Sequence, residues 1–334
     1  MERERSYIGI DVAKFVMAIF VLALHTNPFL DVNKGLEWCS RSVLTVIAVP
    51  FFFIANGFFA LRTDESAKRS IQKLLALYLI WSVVYLPFSI LKLTSDGKTI
   101  LDYFYRFFVY GSYDTIWYLL AASIGLLLVW LLKKWKGIRF AFVVMLCFHF
   151  IAILGTSYAG TIENTIVWNF FSAYYRLFFS FKNGLFFGGV YIALGGVIRE
   201  SLETPLFEKN EKKRLSVFTS VLFLAMAVET VVCKYFHLDT YGVDMKIMLI
   251  PFSLVLFELL LNFNCKISER TALFLRKMSV LVFLTQRLFL TGFELLGVNC
   301  HSLLWFLLVA CSTMAFSLLI ILASRKIPLL KKMY

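Results

Sequence analysis

Runs of about twenty apolar residues recur along this chain from one end to the other, and a run of that length has few fates open to it. A bilayer core about 30 Å thick takes roughly 20 helical residues to cross. Hydrocarbon offers no partner for a bare N–H or C=O, so a crossing segment satisfies its backbone internally, as an α-helix. Hydrophobic residues make up 60% of the chain and Phe alone contributes 36 residues. Mean hydropathy is +0.78. The runs predict an all-α integral membrane protein of about ten transmembrane helices, near residues 7–27, 42–62, 74–94, 116–132, 140–156, 184–198, 215–233, 246–262, 278–296 and 302–323. A single transmembrane domain over 1–334 is expected, with no soluble domain and no convincing internal repeat. The first run lacks a small-residue cleavage site and holds internal charges, so a removable leader is not expected.

Charge sets the orientation. With the amino terminus inside, the cytoplasmic pieces hold 23 Lys and Arg and the outer pieces 9. That bias predicts both termini in the cytoplasm. It also accounts for the net charge of +13, through basic loops facing anionic lipid. No zinc-finger, RNA-recognition or helix-turn-helix pattern accompanies the charge, so nucleic acid is not an expected partner. Cys39, Cys147, Cys233, Cys265, Cys300 and Cys311 show no metal-type spacing. They read as small apolar residues, with a Cys233–Cys300 disulfide as the alternative. No HExxH or acidic cage is present, and no metal is expected. The outer segment 156–183 is too aromatic for a flexible linker and is expected at the interface or re-entering the bundle.

The first run is not cleanly apolar: IGIDVAKFVMAIFVLALHT carries Asp11, Lys14 and His25. An ionisable side chain at a helix centre costs roughly 2.5–3.5 kcal/mol on insertion scales, so such groups face the bundle interior and mark function. The step from Lys14 to His25 turns a helix through about 1100°, back to within roughly 20° of its start. All three residues therefore share one face, with Lys14 and His25 about 16.5 Å apart along the axis. Two readings stand at this point. In one, Asp11 and Lys14 neutralise each other near the inner interface and His25 dips into the outer headgroups. In the other, His25, whose unperturbed pKa is about 6.5, takes a proton from a hydroxyl as general base.

Asn56, His149, Glu229, Glu258, Gln286, Arg287 and Glu294 also fall inside the predicted spans. His149 reads as a satisfied core histidine, Glu258 as an interfacial charge, and Glu229 as a partner for Arg287. The glycines at 184, 188, 189, 195 and 196 read as close-packing positions rather than a phosphate loop.

These residues resemble the membrane acyltransferase 3 family, integral membrane proteins of about ten helices. Its opening pattern, a Gly-Ile/Leu-Asp followed by a basic residue, ten residues and a histidine, is matched by Gly9-Ile10-Asp11 and Lys14-x10-His25. PFFFIANG (50–57) is similar to its FF-x-x-S-G, with Asn56 at the serine. KRSIQKLLALYLIW (68–81) looks like its basic segment entering the third span. IWYL (116–119), NGLFFG (183–188) and LRKMS (275–279) follow in the family's order. The WYL and NGLFF stretches look most like the membrane domain of membrane-bound serine racemases.

The resemblance implies transfer of an acyl group, usually acetyl, from cytoplasmic acetyl-CoA to an envelope glycan or another hydroxyl acceptor. Its location would be the bacterial cytoplasmic membrane. On that basis His25 and Asp11 are the candidate catalytic residues. Lys14, Lys68, Arg69 and Lys73 are candidates for holding the CoA phosphates, and Asn56, Trp117, Gln286 and Arg287 for the acceptor. Three positions depart from the family pattern. Thr115 stands where relatives often have His, Gln286-Arg287 where many have His-Pro, and Lys14 where the family has Arg. Lysine keeps the charge but loses the bidentate fork. A transporter of serine or of a small acylated metabolite is the alternative, and a non-catalytic partner in envelope synthesis a third.

Overall fold

The computed structural model describes residues 7–202, 212–263, 265–298 and 302–334. Among the described residues the chain is helical, with no strand. Thirteen α-helices follow in order: α1 (Ile8–Thr26), α2 (Lys34–Cys39), α3 (Ala48–Ala60), α4 (Asp64–Ser95), α5 (Ile100–Val109), α6 (Trp117–Lys136), α7 (Ile138–Gly155), α8 (Trp168–Phe178), α9 (Gly189–Ser201), α10 (Lys212–Tyr235), α11 (Leu249–Leu261), α12 (Glu269–Leu295) and α13 (Ser302–Ala323). Each of the ten predicted spans falls on a helix. Among the described residues seven helical stretches are long and apolar enough to cross a membrane: Ile8–Thr26, Lys34–Ala60, Asp64–Ser95, Ile100–Lys136, Ile138–Gly155, Lys212–Tyr235 and Ser302–Ala323. This is a multi-pass membrane protein.

The termini of the helices follow from local chemistry. Thr63 caps α4 by accepting the Ser66 N–H, and Ser268 caps α12 by accepting that of Thr271. Thr99 and Asp102 form a reciprocal capping box on α5. Asn27 ends α1 in the left-handed conformation, at φ 49°, and its N–H returns to the Ala23 carbonyl. The segments read as outer loops are themselves partly helical, as α5 and α8. In α8, Phe171 is buried while Phe170 and Leu177 are exposed, so one face packs and the other does not. The Tyr175 hydroxyl donates to the Gly155 carbonyl at 2.8 Å, which fixes α8 against the end of α7.

The chain forms two compact units: residues 1–52, 207–223 and 252–334, and residues 53–206 and 224–251. In the first, α1 packs along α12 and against α13. The loop after α1 is tied to the start of α13, where the Ser302 N–H donates to Asp31 Oδ2 at 2.8 Å and the Asp31 N–H donates to Ser302 Oγ at 3.2 Å. In the second, α6 packs against α4, α7 and α9, and α7 against α9. Close packing rests on glycine, as expected from the sequence. A Cβ on Gly57 would lie 1.9 Å from the Ile192 carbonyl oxygen, and one on Gly195 would lie 2.1 Å from that of Ile54. Only hydrogen at both positions lets these helix backbones approach so closely.

Candidate functional site

In the first unit the charged face of α1 is built around Asp11, whose side chain is 1% exposed. Arg276, near the start of α12, meets it with a fork: Nε donates to Oδ1 at 2.8 Å and Nη2 to Oδ2 at 2.7 Å. Lys14 Nζ stands 3.9 Å from the same carboxylate. Two cations thus converge on one buried anion, and the fork is the geometry that guanidinium and carboxylate share. In the sequence Lys14 is the evident partner of Asp11, and Arg276 stands only within the LRKMS motif. The structure makes Arg276 the main partner. With both oxygens held by a guanidinium, the Asp11 carboxylate is placed to orient Lys14 and Arg276.

The Asp11–Arg276 contact joins the N-terminal ends of α1 and α12. Because the helices also pack along their lengths, they run in the same direction. By helical rise, His25 lies about 21 Å beyond Asp11, and Gln286 about 15 Å beyond Arg276. His25, in the last turn of α1, is half-buried. Gln286 is fully buried; its Nε2 donates to the Phe283 carbonyl at 3.0 Å, and its Oε1 has no hydrogen-bond partner among the described residues. Arg287, beside it, is half-buried. The first unit therefore holds a cluster of two cations on a carboxylate at one end and, one bilayer leaflet away, a polar end with His25, Gln286 and Arg287.

The remaining sequence-predicted residues belong to the second unit. Arg69 pairs with Glu65 one helical turn away at 2.9 Å on an exposed surface. Lys68 lies 5.9 Å from the centroid of the Trp130 ring, and Lys134 5.1 Å from the same ring. Lys73 is exposed on α4. Asn56 Nδ2 donates to the Tyr118 hydroxyl at 2.7 Å. The neighbouring Trp117 ring stacks on Phe187 at 6.3 Å. Phe53 lies 4.7 Å from the Tyr118 ring and 5.8 Å from that of Phe187, so Asn56, Trp117 and the NGLFF segment share one aromatic cluster. Asn183 holds that segment in a π turn over Gly184–Gly188, accepting the Leu185 and Phe186 N–H groups.

Two expectations are corrected, at Glu229 and His149. Glu229 is engaged within its own unit: Oε1 accepts from the Tyr158 hydroxyl at 2.7 Å, and its two oxygens accept the Ile247 and Met248 N–H groups at 2.8 Å. Burial and this bond push the Tyr158 hydroxyl pKa up. Glu258 is buried at 8% exposure. His149 is only half satisfied: Nδ1 meets the Phe186 carbonyl at 2.8 Å, and Nε2 has no partner among the described residues. Cys233 carries a free thiol, and Cys300 lies outside the described residues. Among the described residues no cluster of His, Cys, Asp and Glu is arranged to hold a metal ion.

Comparison with known proteins decides the family. Residues 7–322 match the acyltransferase 3 family model, described as an acyltransferase domain. The chain belongs to this family. It is also similar to two amino-acid racemases of Enterococcus faecalis, 28% identical over 82% of this chain and 25% identical over 97% of it. A serine/alanine racemase of Enterococcus gallinarum is 23% identical over 77% of this chain. The chain spans less than half of these relatives, 38%, 47% and 37% of their respective lengths. No solved structure matches.

Proposed function

We propose that this chain is an O-acyltransferase of the bacterial cytoplasmic membrane, with ten spans and both termini inside. It moves an acyl group, acetyl in the simplest case, from cytoplasmic acyl-CoA to a hydroxyl of an envelope glycan or a similar acceptor. The observation that carries the reading is the division of labour along α1. Lys14 and Arg276 gather around Asp11 at one end, and His25 stands on the same face roughly 16.5 Å from Lys14. A cationic end suits the phosphates of CoA, and an imidazole at the far end suits deprotonation of an acceptor alcohol.

In this reading His25 takes the hydroxyl proton as the alcohol oxygen attacks the thioester carbonyl. The C–S bond then breaks, an ester C–O bond forms, and the CoA thiolate leaves to be protonated. Gln286, with its buried Oε1, suits accepting from a neighbouring hydroxyl of the acceptor, which leaves the reacting proton to His25. Asp11 is the positioning residue that keeps Lys14 and Arg276 in place. Lys68, Arg69 and Lys73, in the second unit, are further candidates for the CoA phosphates.

The test supplies acetyl-labelled acetyl-CoA to the cytoplasmic face of membranes containing the chain and follows alkali-labile label. His25→Ala is expected to abolish transfer while the purified variant unfolds at the parent's temperature. Lys14→Ala is expected to raise KM for acetyl-CoA with a smaller change in kcat. Transfer undiminished in His25→Ala overturns the proposal.

A second reading, in which the chain moves serine or a small acylated metabolite across the membrane, takes up only the amino acid that one relative's name carries, serine/alanine racemase. Uptake of labelled serine by proteoliposomes, dependent on Lys14 and His25 and indifferent to acetyl-CoA, would establish it in place of the first.

A further inference from the structure

The second unit contains two polar atoms that the acyl-transfer reading does not use. His149 on α7 and Tyr191 on α9 are both fully buried, with ring centroids 5.5 Å apart and planes at 79°. Neither His149 Nε2 nor the Tyr191 hydroxyl has a hydrogen-bond partner among the described residues. The Phe186 carbonyl, 2.8 Å from His149 Nδ1, can only accept, so in the neutral ring Nδ1 is the donor and Nε2 is left as a bare acceptor. A tyrosine hydroxyl could fill that acceptor, yet the two atoms do not bond to each other. Buried polar groups in folded proteins are satisfied with few exceptions, and two orphans on touching rings point to a shared guest.

We infer that His149 and Tyr191 form a buried binding site for one hydroxyl group, which accepts from Tyr191 and donates to His149 Nε2. The two demands are complementary: a hydroxyl is both donor and acceptor, and an ammonium or a carbonyl meets only one of them. An anion is opposed by Glu229, whose carboxylate acts electrostatically on Tyr191. A metal ion would find one imidazole and no second ligand of its kind, since no metal-binding cluster occurs among the described residues. Apolar surface walls the site on the other side. Phe187 stacks on His149 at 6.0 Å and 15°, and the half-buried Trp117 stacks in turn on Phe187. The hydroxyl belongs either to an internal water or to an alcohol drawn from the membrane. The site stands on the geometry of this unit and holds whether or not the chain transfers acyl groups.

Nitrogen NMR of the histidine-labelled full chain tests it, because only 4 histidines contribute signals. His149→Gln assigns the resonance by its loss. An unprotonated ring nitrogen that accepts a hydrogen bond resonates upfield of one that does not. The chain is prepared in synthetic phosphatidylcholine vesicles and in native membrane vesicles. An upfield His149 Nε2 in both preparations supports the site with water as its guest. An upfield position in native vesicles alone supports it with a membrane-derived alcohol. In either case Tyr191→Phe, which removes one oxygen and preserves shape, must move the resonance downfield. A free lone-pair position in both preparations, or a bonded one that Tyr191→Phe leaves unmoved, overturns the inference.

Discussion

In the first unit Asp11 is buried to 1% exposure and is met by a two-pronged guanidinium and an ammonium; in the second, His149 and Tyr191 are buried just as deeply and two of their polar atoms meet nothing in the protein among the described residues. The difference follows from charge. A carboxylate taken from water loses several kcal/mol of solvation, which the fold must return through matched partners. A neutral hydroxyl or imidazole loses roughly 1–3 kcal/mol, a deficit small enough to persist until a guest arrives. Buried charge therefore marks where the architecture is locked. Buried neutral orphans mark where it has been left receptive.

The largest expected effect attacks the lock. Arg276→Ala leaves Asp11 buried with Lys14 alone and should cost about 3–5 kcal/mol, read as a fall in unfolding midpoint in detergent. Adding Asp11→Asn should recover part of that loss, since the double variant no longer buries an unpaired charge. If Arg276→Ala unfolds with the parent, the pair is not the lock and the comparison fails.

Lys246 carries the same test into the second unit. It lies in the coil before α11 at 1% exposure. Burial pushes its pKa down from 10.5 to about 8, against the opposing pull of Asp244, Glu229, Cys233 and Asp239. Below pH 8 the ammonium is present in folded and unfolded chains alike, and its burial penalty is fully felt. Between about 8 and 10.5 the unfolded chain binds more protons, so stability should rise with pH, by roughly 3 kcal/mol in all. Lys246→Met should flatten that rise. A parent whose stability is level across the window would show that this ammonium is solvated or fully compensated.

A smaller loss is expected at Gly57, where a Cβ would meet the Ile192 carbonyl at 1.9 Å. Gly57→Ala should cost about 1–3 kcal/mol through forced separation of the backbones, measured against Gly97→Ala, whose Cβ meets nothing within 4 Å. Gly97 has φ +64°, so its own cost reports backbone strain alone. Equal losses at the two sites would remove close approach as the explanation.

These contrasts also show why some of the molecule was legible in the sequence and some was not. The length of an apolar run reports directly on helix position, and all ten predicted runs fall on helices. Apolar run length assigns no span to α5 or α8, because their apolar residues occupy one face and are diluted by tyrosine, arginine and serine. Asp11 was recognisable as a charge that needed balancing. Its partner is 265 residues away, a separation that no periodicity encodes. The LRK motif held the signal, for a guanidinium is the best match to a lone buried carboxylate. The glycines of the NGLFFG segment and of α9 were legible as contact points, because only absence of a side chain permits such approach. His149 was half legible: an apolar helix predicts its burial, but which ring nitrogen finds a carbonyl depends on the π turn at Gly184–Gly188.

The smallest expected effect separates neutral from charged burial most sharply. Thr115 and Thr313 are buried at 2% and 0% exposure, one in each unit, and neither hydroxyl has a hydrogen-bond partner among the described residues. Valine has the same shape without the oxygen, so Thr115→Val and Thr313→Val each remove an unsatisfied group and leave no cavity. Removing such an orphan is nearly neutral or stabilising, and both variants should unfold within about 0.5 kcal/mol of the parent or above it. If Thr115→Val destabilises by more than about 1 kcal/mol while Thr313→Val does not, its hydroxyl is engaged by something outside the protein. That outcome would place a second receptive point in the second unit, two residues before Trp117 and its stack with Phe187.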